Sequence, residues 1–224
     1  MATILFDLDG TLVDTAPDLL AVTNAILREK GIAPVPDDAI GHLVGQGGRA
    51  MLARAFEEQG QALDEDRLDT LVPRFIELYR ETIPGRSRPF DGVVETLDTL
   101  RRDGHVCAIC TNKFEDLSVA LLEALDMADR FAVIAGPDTF DVRKPDPAHV
   151  LRTIEAVGGT PEASVMVGDS HNDIEAARRA NVPSVAVTFG YTDVPAAELG
   201  ANRVIDRYDA STAGLLAELA TRRE

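Results

Sequence analysis

Apolar positions along the chain follow two rhythms. Short unbroken runs recur at Thr3–Phe6, Val106–Cys110, Phe131–Ala135, Ser164–Val167, Ser184–Val187 and Arg203–Ile205. Each is too short for a helix, and an all-apolar run marks a strand buried on both faces. Between them, apolar residues three and four apart predict helices at Glu115–Leu125, Pro147–Val157 and Ile174–Ala180, the last with Asn172 as its expected N-cap. Alternating strands and helices of this kind predict an α/β fold, a parallel sheet covered on both sides.

One interval breaks the alternation. From Ala16 to about Arg86 the spacing is helical, at Asp18–Arg28, Ala50–Glu58 and Arg67–Tyr79, with turns at Pro34, Pro36 and Gly45–Gly48. The first strand must lie beside strands that arrive some ninety residues later in the chain, so the interval is expected to project as an all-helical cap domain, residues 16–86. The core is then residues 1–15 and 87–224, and Pro84–Pro89 is the returning hinge.

Composition narrows the function. The chain has 224 residues, 45% of them hydrophobic, which is enough for a substantial core. Its formal charge of −16 disfavours nucleic acid and anionic membranes as partners. It repels a phosphate ester too, so a phosphate site here needs a metal ion or a few placed cations. The chain has only three lysines, Lys30, Lys113 and Lys144. No apolar stretch approaches the roughly 20 residues of a membrane helix, and the start Met-Ala-Thr-Ile-Leu-Phe-Asp does not read as a secretory signal. The expectation is a cytoplasmic protein. Cys107 and Cys110 spell CxxC, but residues three apart in a strand face opposite ways, so inert core thiols are expected.

Ligands of open parallel sheets gather at the carboxyl ends of the strands. Asp7 and Asp9 follow the first strand, Thr111 ends the second, Lys144 lies in the loop after the third, and Asp169 follows the fourth. Each has an ordinary explanation alone: a turn, a strand end, a solvated charge, an N-cap. Together they fit phosphoryl transfer. Asp7 can attack phosphorus as a carboxylate nucleophile, and Asp9 can act as general acid and base. Thr111 and Lys144 can hold the phosphoryl oxygens, with Asn112 and the Gly10 and Thr11 backbone amides completing the cradle. An all-oxygen set selects Mg²⁺, with Asp7, Asp169 and the Asp9 carbonyl as expected ligands.

Phe6-Asp-Leu-Asp-Gly-Thr-Leu-Val-Asp-Thr15 resembles the first motif of the haloacid dehalogenase superfamily. Cys110-Thr-Asn-Lys113, Lys144-Pro-Asp-Pro147 and Val167-Gly-Asp-Ser-His-Asn-Asp173 resemble its second, third and fourth. The resemblance covers essentially the whole chain. It implies a Rossmann-like core, Mg²⁺, and a mobile helical cap closing over a small phosphorylated metabolite. Thr-Asn-Lys, Lys-Pro-x-Pro, Gly-Asp-Ser-x-Asn-Asp and Phe189-Gly-Tyr191 are most similar to phosphoglycolate phosphatases, which points to 2-phosphoglycolate. Other small sugar phosphates and β-phosphoglucomutase-like phosphomutase activity are the alternatives. The mutases carry Glu immediately before the fourth-motif Asp, where this chain has Gly168. Asp173 is then the expected second acid, bonding Lys144 or a metal-bound water, or else a helix N-terminal charge. A non-enzymatic, receiver-type phospho-acceptor shares the residue types but not their order.

Substrate choice is expected in the cap. Gly45-Gln-Gly-Gly-Arg49 leads into a helix, so Gly47 amides or the Arg49 guanidinium are candidates to grip a substrate carboxylate, against the alternative of a plain turn and surface arginine. His42 and His171 adjoin site elements and are read as structural or solvated, while His105 and His149 carry no functional expectation. Monomer and homodimer both remain open.

Overall fold

A computed structural model describes residues 1–36, 47–192 and 194–221. Six parallel strands, β1 (Thr3–Phe6), β4 (Val106–Cys110), β5 (Ile134–Ala135), β6 (Ser164–Gly168), β7 (Ser184–Val187) and β8 (Arg203–Ile205), form one sheet in the order β5-β4-β1-β6-β7-β8. β1 is central: Thr3–Phe6 pair with Val106–Ile109 on one side and Ser164–Val167 on the other. Its four residues are all buried, as a strand covered on both faces requires.

The period of two sorts side chains between the layers. Ile4, Phe6, Cys107, Ile109, Val165, Val167, Val185 and Val187 face helices α4 (Val93–Arg102) and α8 (Thr212–Thr221), in a core that also takes in α5 (Glu115–Ala124). Leu5, Cys110 and Met166 face α6 (Pro147–Ala156) and α7 (His171–Arg179). Cys107 and Cys110 thus lie on opposite faces as free thiols, and burial pushes both up to about 12. They are core residues with no thiolate character at neutral pH.

The chain leaves β1 through a turn and a two-residue antiparallel ribbon, β2 (Val13–Asp14) against β3 (Arg88–Pro89). Between these lie α1 (Ala16–Glu29), α2 (Gly48–Glu58) and α3 (Glu65–Thr82), which bury Leu20, Ile26, Leu52, Phe56 and Phe75 in a second cluster that also takes in Leu117 and Tyr191 of the core. This is the expected helical cap inserted after the first strand. Asp18 fastens its root: the carboxylate is 3% exposed and accepts from the Arg86 N–H at 2.9 Å, the Ser87 N–H at 2.8 Å and the Ser87 Oγ at 2.6 Å. The outgoing and returning chains are thereby joined at one point.

Local expectations needed four corrections. β5 is the two residues Ile134–Ala135, not Phe131–Ala135, although Ala132 already donates to Cys107 O and Val133 O accepts from the Ile109 N–H, both at 2.9 Å. α7 starts one residue before Asn172, because Ser170 caps it with Asp173 returning a bond to the Ser170 N–H at 2.9 Å. Helices α4 and α8 had no sequence forecast. Nor did the β2–β3 ribbon, which is too short to show a period.

Candidate active site

The turn after β1 begins with Asp7, whose N–H donates to Val167 O at 2.9 Å, so the residue is still seated in the sheet. Gly10 then takes φ +77°, and a Cβ there would lie 2.5 Å from Asp169 Oδ2. Only glycine lets the turn pass this close to the acid of β6. Asp169 sits in the gap: its Oδ2 accepts from the Tyr191 N–H at 2.7 Å, and its Oδ1 accepts from Thr11 Oγ1 at 3.3 Å.

Lys144 lies beneath these acids, 2% exposed. Its Nζ donates to Cys110 O and to Asp173 Oδ1, both at 2.5 Å, and stands 3.1 Å from Asp7 Oδ1. Burial alone would lower this amine, but Asp173 and Asp7 outweigh it and hold the group charged. Asp173 is fully buried, and its other oxygen accepts from the Ser170 N–H and Oγ at 2.9 and 2.6 Å. It is therefore an interior partner of Lys144, one of the partners the fourth-motif reading offered, and it also stands at the N-terminus of α7.

The ammonium's two short bonds leave Asp7 Oδ1 within ion-pair distance yet buried without a hydrogen bond. Burial lifts the Asp7 carboxyl to about 6, against the opposing pull of Lys144. Asp169 is raised well above the ordinary carboxylate range, also by burial first and then by Asp173 and Asp7. Carboxylate oxygens of Asp7, Asp169 and Asp173 all lie within 4.8 Å of one another. Three acids sharing one lysine, with one buried oxygen that has no hydrogen bond, suit a hard divalent cation. Because Asp173 is spent on Lys144 and Ser170, Asp7 and Asp169 are the pair with capacity for an ion.

Asp9 projects beyond Asp7 and is gripped by Lys113, whose Nζ lies 3.0 and 3.2 Å from its two oxygens. The same Nζ donates to the Tyr79 hydroxyl of α3 at 2.8 Å and lies 4.1 Å from that ring's centroid. Burial would lower Lys113, but Asp9 and Tyr79 reverse the shift and keep it protonated. Neither Lys113 nor Tyr79 was among the expected site residues. The available signal was that Lys113 is one of three lysines and stands in the second motif.

Several expected contacts are organised differently. The Asn112 side chain clamps the Lys144 backbone with two 2.9 Å bonds, so it positions the lysine, and these bonds use one of its two Nδ2 hydrogens. The Gly10 N–H donates to Val13 O at 2.9 Å and the Thr11 N–H to Leu8 O at 3.3 Å, closing the turn. Among the described residues, the Leu8 and Asp9 N–H groups meet no acceptor and are the turn's available donors. Thr111 is buried at the end of β4 with its Oγ1 accepting from the Lys113 N–H at 3.2 Å. Gly47 is exposed before α2, and Arg49 pairs with Glu65 and Asp69 at 2.5 Å within the helical layer. His171 is exposed, His149 is buried and pushed down to about 4 by burial and Lys144, and His42 lies outside the described residues.

Tyr191, part of the Phe189-Gly-Tyr191 resemblance, links the site to the cap. Its N–H holds Asp169, while its hydroxyl accepts from the Thr15 N–H at 2.7 Å and the Ala16 N–H at 3.0 Å and donates to Asp14 at 2.6 Å. It thus satisfies otherwise orphaned donors at the start of α1.

With acids gathered around a lysine at one edge of a capped parallel sheet, the molecule is a phosphatase. The chain belongs to the haloacid dehalogenase-like hydrolase family, whose pattern it matches over residues 4–187. It is 52% identical to a phosphoglycolate phosphatase of Agrobacterium fabrum over 218 residues, 97% of this chain and 94% of that protein. It is 46% identical to a phosphoglycolate phosphatase of Mesorhizobium japonicum over 216 residues, 96% and 95% of the two chains. Among solved structures, a predicted phosphoglycolate phosphatase from Haemophilus somnus superposes with a TM-score of 0.86 at 29% identity, covering 96% of this chain and 97% of its own.

Proposed function

We propose that this protein is a Mg²⁺-dependent phosphomonoester hydrolase acting on 2-phosphoglycolate through a covalent phospho-aspartate on Asp7. The observation that carries the reading is the Asp7 Oδ1 atom: a buried oxygen without a hydrogen bond, 3.1 Å from Lys144 and clustered with Asp169.

Asp7 attacks phosphorus and forms the acyl phosphate while the ester P–O bond breaks, and Asp9 delivers a proton to the departing oxygen. Asp9 then takes a proton from water, whose oxygen attacks phosphorus, releases phosphate and restores the Asp7 carboxylate. Lys144 and Thr111 receive the phosphoryl oxygens together with the Leu8 and Asp9 amides. Mg²⁺, held by Asp7, Asp169 and the Asp9 carbonyl, supplies the charge neutralisation that an acidic protein needs at a phosphate. Asp173 holds Lys144 from behind. The cap, residues 16–86, closes over the substrate and limits water during the first transfer. Gly47 of this cap stays a candidate substrate contact. Arg49 is better explained by its two acidic partners. The absence of a membrane-spanning helix among the described residues is compatible with a cytoplasmic setting.

A mutase reading is disfavoured at Gly168, where an added Cβ would sit 2.3 Å from the Asp173 Cβ, leaving no room for a glutamate. Phosphate release from a panel of phosphorylated metabolites, with and without Mg²⁺, tests the proposal. Continuous Mg²⁺-dependent turnover with highest kcat/KM on 2-phosphoglycolate is expected, and Asp7→Asn should abolish it with the fold intact. Stoichiometric phosphate uptake without turnover would instead favour the receiver-type reading, and wild-type activity in Asp7→Asn would sink the mechanism.

A further inference from the structure

We propose that Lys113, together with the Tyr79 hydroxyl, forms the subsite that receives the second anionic group of the substrate, the carboxylate carried beyond the scissile ester. This deepens, and rests on, the assignment of 2-phosphoglycolate as substrate.

Positive charge is scarce around the substrate. A phosphorylated acid brings an anion at each end into a site already crowded with carboxylates. Lys144 is committed to Asp173, Cys110 O and Asp7, all on the phosphoryl side. Arg49 is committed to Glu65 and Asp69. Among the described residues in contact with Asp9, Lys113 is the cation, and its side chain is 6% exposed. The attraction of a cation so withdrawn from water for an anion is less screened than that of a surface lysine.

Position follows from the substrate's connectivity. The ester oxygen must lie at Asp9 to receive its proton, and in a phosphoglycolate the carboxylate carbon is two bonds further on. The carboxylate therefore lands beside Asp9, where Lys113 is found, 3.0 and 3.2 Å from the Asp9 oxygens. Those two contacts are longer than the roughly 2.7–2.9 Å of a strong ammonium–carboxylate bond. One N–H can thus turn to a new acceptor while Asp9 keeps the other. The third already points to Tyr79 Oη at 2.8 Å. Because Tyr79 accepts that bond, its own O–H proton remains to be donated, so cation and hydroxyl present two donors to one carboxylate.

Tyr79 also gives the subsite a dependence on the cap. It lies on α3, is 1% exposed and stacks on Phe75 with ring centroids 6.4 Å apart. The cap contributes the hydroxyl and the core contributes the ammonium, so the pair is complete only when the two layers are docked. A substrate lacking the second anion would gain nothing from that docking.

The test compares 2-phosphoglycolate with 2-hydroxyethyl phosphate, which has the same chain length without the carboxylate. The readout is the ratio of their kcat/KM values in wild type, Lys113→Gln, Lys113→Arg and Tyr79→Phe. Loss of Asp9 positioning lowers both substrates and cancels in the ratio. Lys113→Gln should reduce the ratio about 10- to 150-fold, the range for one charge-assisted hydrogen bond. Lys113→Arg should largely restore it. Tyr79→Phe, which keeps the ring and covers the case of a Lys113 variant that does not fold, should reduce it several-fold. A wild-type preference for 2-phosphoglycolate that survives both Lys113→Gln and Tyr79→Phe would overturn the subsite alone. A wild-type ratio near one would overturn the 2-phosphoglycolate assignment and this subsite with it.

Discussion

Replacing Asp173 by alanine separates two explanations of that residue by magnitude. If it were only a helix N-terminal charge on α7, its removal would cost about 0.3–1 kcal/mol. The structure gives it a heavier part. It is fully buried, its Oδ1 takes a 2.5 Å bond from a lysine that is itself 2% exposed, and its Oδ2 takes two bonds from Ser170. Deleting the carboxylate leaves a buried ammonium with only Cys110 O and Asp7, a situation that costs about 3–5 kcal/mol. Loss of the reciprocal cap at Ser170 adds roughly 1 kcal/mol. Guanidinium unfolding of wild type and Asp173→Ala, followed by two probes to confirm one transition, should give a difference of about 4–6 kcal/mol. Asp173→Asn keeps one accepting oxygen, for Lys144 or for Ser170 but not for both, and should lose less. A difference below about 1 kcal/mol for the alanine variant would refute the buried-pair reasoning and return Asp173 to the status of an N-terminal charge.

Burial holds the Asp7 carboxyl at about 6 against its ordinary 3.8, and shifts Asp169 the same way. The metal-free folded protein thus binds more protons than the unfolded chain, and Asp7 makes stability fall as pH rises from about 4 to about 6, with Asp169 acting in the same direction. Mg²⁺ binds the ionised acids, so its stabilising shift in Tm should be larger at about pH 7.5 than at about pH 5, and an equal shift at both would contradict the assignment. Gly10→Ala places a Cβ 2.5 Å from Asp169 Oδ2 at φ +77°, and should lose about 1–3 kcal/mol of stability together with Mg²⁺ affinity measured by calorimetry. Tyr191→Phe strands the Thr15 and Ala16 N–H groups at about 1–3 kcal/mol per orphaned donor, and should speed hydrogen exchange at the start of α1 more than within β1.

The sequence by itself determined the alternation of buried strands and helices, the place of the helical insertion, and the identities of Asp7, Asp9, Thr111, Lys144 and Asp169 at strand ends. These were legible because burial on both faces leaves a local mark in Thr3–Phe6 and Ser164–Val167, and because parallel strands bring their carboxyl ends to one edge. Tertiary structure decided which donor meets which acceptor. Asn112 lies beside Thr111 in the chain, but its amide closes on the Lys144 backbone. The Gly10 and Thr11 N–H groups turn inward because that turn must pass Asp169. Lys113 finds Tyr79 at a separation of 34 residues, across the layer the insertion creates, and Tyr191 reaches Ala16 at a separation of 175. Residue type and local period are properties of the chain, whereas hydrogen bonds are short and directional, so their partners exist only once the layers have packed.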